Sequence, residues 1–129
     1  MKSFLGPLVE THGSSFVLTN TRTNRIVART LLTAFDSASR RRGLLKHDSL
    51  ADGTALIIAP SNAIHTFSMR FAIDVAFVRR DGRVVKVRPS VTPWRVSAAW
   101  GAFAVIEMAA GAFESSDTRP GDLLQVTPT

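Results

Sequence analysis

The apolar positions of the chain fall in short runs separated by polar turns, and most runs carry the spacing of strands rather than helices. Phe16 to Leu18 is a short apolar run. The polar connection NTRTN, Asn20 to Asn24, follows it. Ile26 to Leu32 (IVARTLL) is β-branched enough for a partner strand, so these segments predict a hairpin. Thr54 to Ala59 (TALIIA) is continuously apolar and predicts a buried strand, stopped by Pro60. Ile73 to Arg79 and Arg83 to Arg88 predict a second hairpin about Asp81-Gly82, a pair suited to a two-residue turn whose central residues both take positive φ. In its second arm Val85 and Val87 alternate with Lys86 and Arg88, which leaves one face wet. Its first arm, IDVAFV, is apolar on both faces and belongs inside a sheet. Phe103 to Met108 and Leu123 to Thr127 predict further strands. Gly111 to Ser116 lies between them as a helical turn, and Pro120-Gly121-Asp122 leads into the last strand.

One segment breaks the pattern. Phe35 to Leu45 (FDSASRRRGLL) lacks alternation, and Asp36 is suited to cap a helix there. Phe35, Leu44 and Leu45 can turn toward a core from its two ends, and Gly43 is placed to terminate it. The expectation is a mainly β (α+β) protein: a compact small barrel or sandwich of roughly six or seven mostly antiparallel strands with one or two short helices. No repeat or long polar linker divides residues 1–129, so one domain is expected.

Composition narrows the chemistry. With 45% apolar and 20% charged residues the chain is globular in character, and without cysteine it has no disulfide, thiolate metal site or thiol nucleophile. MKSFLGPLVE is broken by Gly6, Pro7 and Glu10 and lacks the apolar centre of a secretory signal, so a cytoplasmic location is expected. The run from Val96 to Phe113 reaches membrane-spanning length, but it contains Glu107 and is rich in Ala and Gly. A buried strand with flanking loops explains it better than a membrane span. The formal net charge is +6, concentrated in Arg22 to Lys46 and in Arg79 to Arg95. A solvated basic surface is the simpler reading, because no nucleic-acid motif accompanies it; nucleic acid is therefore not the favoured partner.

Four segments resemble a known pattern when taken in order. They are Arg41 to Leu45 (RRGLL), Ile64 to Phe77 (IHTFSMRFAIDVAF), the Asp81 to Val85 hairpin with Pro93-Trp94-Arg95 behind it, and Val105 to Gly111 (VIEMAAG) with Pro120-Gly121-Asp122. Together, over about residues 26–126, they resemble the domain-of-unknown-function 192 family. Ser68 stands where that pattern often has Gly or Trp, and Ala72 where it often has Pro. Both changes fall in the loop before the central strand. The resemblance implies a fold and a candidate site. It implies no activity, and no compartment, since the family also includes members with export signals.

The candidate residues follow from position. His65 lies in loop-like sequence after a buried strand, where an imidazole can bind a ligand or exchange a proton near neutral pH. A histidine that only stitches the loop to backbone is the plainer alternative. His12 and His47 sit in polar turns without carboxylates at ligand spacing, so no metal site and no cofactor is expected. Asp74 and Glu107 lie inside apolar strands, where a carboxylate needs a partner. Structural ion pairs are expected, with Arg42 and Arg70 the first partners considered for Asp74. Trp94 beside Arg95 suits a planar or anionic ligand, or equally a lid packed on the core edge. Met69 and Phe67 are expected in the core. Three functional readings remain. The first is a binding module whose polar cleft, formed by Arg42, His65, Thr66, Met69, Trp94 and Arg95, takes a small anionic ligand or a peptide end. The second is a small enzyme with His65 as acid or base and Asp74 or Glu107 orienting it. The third is a nucleic-acid-associated protein, which needs the two arginine-rich segments on one face.

Overall fold

A computed structural model describes residues 3–10 and 15–129; His12 lies outside the described residues. Ten strands and three short helices are described. In chain order they are α1 (Gly6–Glu10), β1 (Phe16–Asn20), β2 (Arg25–Ala28), β3 (Thr30–Ala34), α2 (Ser37–Arg42), β4 (Thr54–Ile58), β5 (Ala63–His65), β6 (Ile73–Val78), β7 (Val84–Val91), β8 (Val96–Ala98), β9 (Ala104–Ala109), α3 (Ala112–Ser115) and β10 (Leu124–Pro128). No helix among the described residues is long and apolar enough to cross a membrane.

The architecture is a sandwich, not a closed barrel. A three-stranded sheet of order β10-β1-β2 packs on a five-stranded sheet of order β3-β4-β9-β6-β7, and β5 and β8 form a separate ribbon. Among the described residues only β3 and β4 pair in parallel. Alternation along the strands gives the large sheet two apolar faces. Ile57, Ala76, Val78 and Ile106 meet Leu18, Ala28 and Leu124 of the small sheet. On the other face Leu56, Ile58, Val75, Phe77 and Val105 are covered by Leu44, Leu50, Met69 and Ala99 from the connecting segments. The fully buried β6 has β9 and β7 on its two sides, which accounts for its apolar character on both faces.

Several local expectations change. The run Ile26 to Leu32 is not one strand. It breaks at Arg29, where the chain leaves the small sheet for the large one, and the Arg29 and Thr30 amides both donate to Gly53 O. Val27 and Ala28 are buried in succession, so strict alternation has already failed at that bend. The β6–β7 turn holds three residues, not two. Gly82 N donates to Arg79 O at 3.0 Å, and Arg79 N to Arg83 O at 2.8 Å. Gly82 has φ 98° while Asp81 stays out of the positive region, as in a turn closed by a glycine bulge. The expected helix is α2. Asp36 accepts from Ser39 N at 2.8 Å, and Gly43 closes it at φ 45°. The strands that went unforeseen are mainly β5 and β8, each three residues long.

Candidate functional site

The arginine run of α2 and the strand β5 form the two walls of a cleft of about 620 Å³. Arg40, Arg41, Arg42 and His65 line it, with Ser37 and Ser61 adding hydroxyls. Leu44, Ile58, Ile64 and Met69 supply apolar surface, and Glu107 is the carboxyl among them. The Arg40 guanidinium donates to Phe35 O at 2.8 Å, which ties it to the start of its own helix. Arg41 and Arg42 are exposed and take part in none of the ion pairs among the described residues. Arg42 therefore does not turn inward to a carboxylate as the sequence suggested. α2 has no buried residue, so its arginines stay at the solvent side of the cleft.

Glu107 is the unusual group. It lies on β9, the middle strand of the large sheet, in register with Leu56 on one side and Val75 on the other. The side-chain period puts it on the same face as Val105, where no ion-pair partner meets it among the described residues. It is only 4% exposed. Burial raises its carboxyl from the ordinary 4.5 to about 7. The expectation of a structural ion pair at Glu107 is thus corrected: the carboxyl faces the cleft without a countercharge.

Asp74 behaves differently. It points to the opposite side of the sheet, is fully buried, and accepts from Ser90 N at 2.9 Å and Phe113 N at 3.0 Å. Backbone amides satisfy it, not an arginine; Arg70 pairs instead with Asp48. Asp74 joins β6 to the end of β7 and the start of α3, away from the cleft.

Thr66 is also not a cleft residue. It is fully buried and fastens two loops. Its hydroxyl donates to Thr92 O at 2.7 Å and accepts from Arg95 N at 2.8 Å. Its amide donates to Arg95 O, and its carbonyl accepts from Trp94 N and Met69 N. This holds Trp94 at φ 66° with the residue 63% exposed. Trp94 stacks on Phe67 at 5.7 Å between ring centroids, and Phe67 lies 5.1 Å from His65. Phe67 is therefore a surface residue and not a core one, while Met69 is buried as expected. Of the six residues assigned to the cleft from sequence, Arg42, His65 and Met69 line it. Trp94 and Arg95 stand beside His65 on the exposed loop. His65 makes no hydrogen bond with a carboxylate among the described residues, so the His–carboxylate pair of the enzymatic reading is not formed. No three His, Asp or Glu side chains among the described residues gather as a metal-binding set.

Sequence reasoning missed Arg40, Arg41 and Ser61 as cleft residues, and it missed a second cleft of about 670 Å³ next door. That cleft is lined by Ser61, Arg79, Arg80, Trp100 and Phe103 among others. Ser61 borders both clefts, so two of the arginine clusters, Arg40–Arg42 and Arg79–Arg80, flank one loop. The clustering of charge was visible in the sequence; its convergence was not.

The fold has solved relatives. A protein of unknown function from Novosphingobium aromaticivorans DSM 12444 superposes with a TM-score of 0.74 at 24% identity, covering 86% of this chain and 83% of that one. A protein from Sinorhizobium meliloti 1021, described as a "putative transcription regulator", superposes with a TM-score of 0.76 at 17% identity, covering 88% and 92%. At these identities the likeness is one of fold. No curated protein matches the chain significantly. The sequence pattern of one family matches residues 17–126, nearly the whole sandwich, and the chain accordingly belongs to the domain-of-unknown-function 192 family, described as Uncharacterized ACR.

Proposed function

We propose that the protein is a binding module whose cleft beside His65 takes a small organic anion or the carboxylate end of a peptide. The observation that carries this reading is the pairing of a cationic mouth with a buried, unpartnered carboxyl. Arg41 and Arg42 offer planar donor forks to a carboxylate or phosphate, and neither forms an ion pair among the described residues. Leu44, Ile58 and Met69 suit an apolar body between the charged end and Glu107. When protonated, Glu107 donates a hydrogen bond to the ligand's inner end. An anion in the cleft favours that protonated form, so binding takes up a proton and tightens as pH falls through about 7.

Thermal denaturation tests this with inorganic phosphate, citrate and short alkyl carboxylates as probes, each against sodium chloride at equal ionic strength. The wild-type protein gains melting temperature with at least one probe, by about 2.7 kcal/mol of stability at one hundred times its Kd. The Arg41→Ala/Arg42→Ala protein loses that gain. Equal gains in both proteins refute the assignment.

A second reading has one observation in its favour. A carboxyl with a pKa of about 7, in a cleft, is matched to acid–base work at neutral pH. In that reading Glu107, and not His65, moves the proton. A ligand consumed in the presence of wild-type protein but not of Glu107→Gln separates catalysis from simple binding.

A further inference from the structure

The β5–β8 ribbon carries an exposed face whose Ala63 and His65 border the first cleft and whose Trp100 borders the second, while Phe67, Trp94, Val96 and Ala98 line neither. Ala63 and His65 of β5 and Val96 and Ala98 of β8 alternate outward, Phe67 and Trp100 are exposed in the turns that follow the two strands, and Thr66, Ser97 and Ala99 are buried. Seven large apolar side chains are exposed among the described residues, and four of them are here: Phe67 (41%), Trp94 (63%), Val96 (62%) and Trp100 (96%). This is a concentration, not the scatter expected of a soluble surface. Aromatic rings stand at both ends. At one end Trp94 stacks on Phe67, whose ring is tilted against His65, and Trp100 stands at the other.

The surroundings of the face are cationic. At the Trp100 end lies the cleft with Arg79 and Arg80, the latter guanidinium held 4.1 Å from the Phe103 ring centroid. Beside His65 lies the cleft with Arg40, Arg41 and Arg42, and Arg95 follows Trp94 directly. None of these six arginines forms an ion pair among the described residues; the ion pairs found there involve Arg22, Arg70 and Arg119. Left-handed backbone at Ser68 and Trp94 is held in place by the Thr66 hydrogen bonds. In this conformation Trp94 stacks on Phe67 yet stays 63% exposed, which points to a use for the ring itself.

We propose that this ribbon face is a platform for single-stranded nucleic acid, with bases on Trp94 and Trp100 and phosphates on the arginines around them. Aromatic rings interleaved with unpaired cations are what such a strand requires, since every base has a face to stack and every linkage a charge to neutralise. The span from Ser61 to Phe67 is on the order of 20 Å, enough for a few nucleotides. Concave basic clefts suit a thin chain that dips into them better than a flat bilayer or a rigid duplex. Nothing in this inference depends on which small molecule fills the cleft beside Glu107.

The test is fluorescence anisotropy on the full chain with labelled oligo(dT) and oligo(U) of about 20 nucleotides, a length above the site size of one small domain. Binding at low salt is expected, and oligo(U) against oligo(dT) decides whether the sugar matters. Trp100→Ala and Trp94→Ala each weaken it by about fivefold or more. Arg79→Ala/Arg80→Ala lowers the slope of log K against log salt by about 0.7 for each lost phosphate contact. The Arg41→Ala/Arg42→Ala protein loses small-anion binding and lowers the salt slope for the strand, whereas Trp100→Ala weakens the strand and leaves small-anion binding intact, so the two sites fail separately. Absence of binding by the wild type, wild-type affinity in both tryptophan variants, tighter binding to a duplex of the same length, or preference for phosphatidylserine vesicles over the oligonucleotides would overturn the proposal.

Discussion

Replacing Glu107 with Gln should make the protein more stable at alkaline pH, and the size of the gain follows from where the carboxyl sits. A rise from 4.5 in the unfolded chain to about 7 in the folded one corresponds to about 3 kcal/mol between the two protonation states. The sign follows from proton binding. Between those two values the folded protein holds the proton and the unfolded chain has lost it. Stability from this group is therefore full below 4.5, falls as pH rises, and reaches its floor above about 7. Between pH 5 and pH 8 the wild type should lose about 2–3 kcal/mol that the Gln variant keeps, because the amide has nearly the same shape and never ionises. Urea denaturation of both proteins at the two pH values measures this directly. All other titrating groups are shared, so the difference between the two profiles isolates Glu107. In melting temperature the divergence is about 10 °C for a chain of this size. Two profiles that run parallel to within about 0.5 kcal/mol would show that water or a neighbouring cation solvates the carboxylate, and the account of an unpartnered buried acid would fail.

Two further outcomes test the fold around the site. Asp74→Ala strips two amides, Ser90 N and Phe113 N, of their acceptor. It should cost about 3 kcal/mol in chemical denaturation, and a loss below about 1 kcal/mol would contradict the two-amide geometry. Gly82→Ala puts a Cβ 2.3 Å from Leu124 O at φ 98°, where the contact is backbone and cannot swing aside. It should cost about 3 kcal/mol or more and displace the hairpin from β10, seen as amide shifts at Leu124; a near-neutral effect would refute the docking of that turn.

The sequence made the strongly periodic elements legible and left the short ones hidden. The β6–β7 pair, β4 and β9 are long apolar runs bounded by turn residues, and the helix carries its own cap in Asp36. β5 and β8, at three residues each, are too short for alternation to register. Their pairing, Ala63 with Ala98 through His65 with Val96, depends on a separation in sequence that local pattern does not encode. The candidate site was half legible for the same reason. His65 and Arg42 were found because polar groups near a loop attract attention. Thr66 was misassigned because nothing local distinguishes a hydroxyl facing solvent from one that holds two loops together. The rule that a buried carboxylate needs a partner correctly isolated Asp74 and Glu107. It named the wrong partner for the first, since backbone amides leave no trace in composition. It implied a partner for the second where none forms an ion pair with it among the described residues.

The manner in which the ribbon is attached has a consequence for motion. β5 and β8 hydrogen-bond in ladder fashion only to each other. They are moored to β7 by two side chains, with Lys86 donating to Ala98 O at 2.8 Å and Arg88 to Ser97 Oγ at 3.2 Å. At one end Thr66 latches the loop after β5 to the loop before β8, and at the other Ala99 N donates to Asn62 O at 3.0 Å and Ser61 N to Phe103 O at 2.8 Å. Opening the ribbon breaks few bonds and leaves the two sheets of the sandwich intact, which makes it a separate unit of local unfolding with a free energy well below the global value. In hydrogen exchange the amides of Thr66, Met69, Trp94 and Arg95 would then be lost together and early, while those of β6 and β9 wait for the whole molecule to unfold.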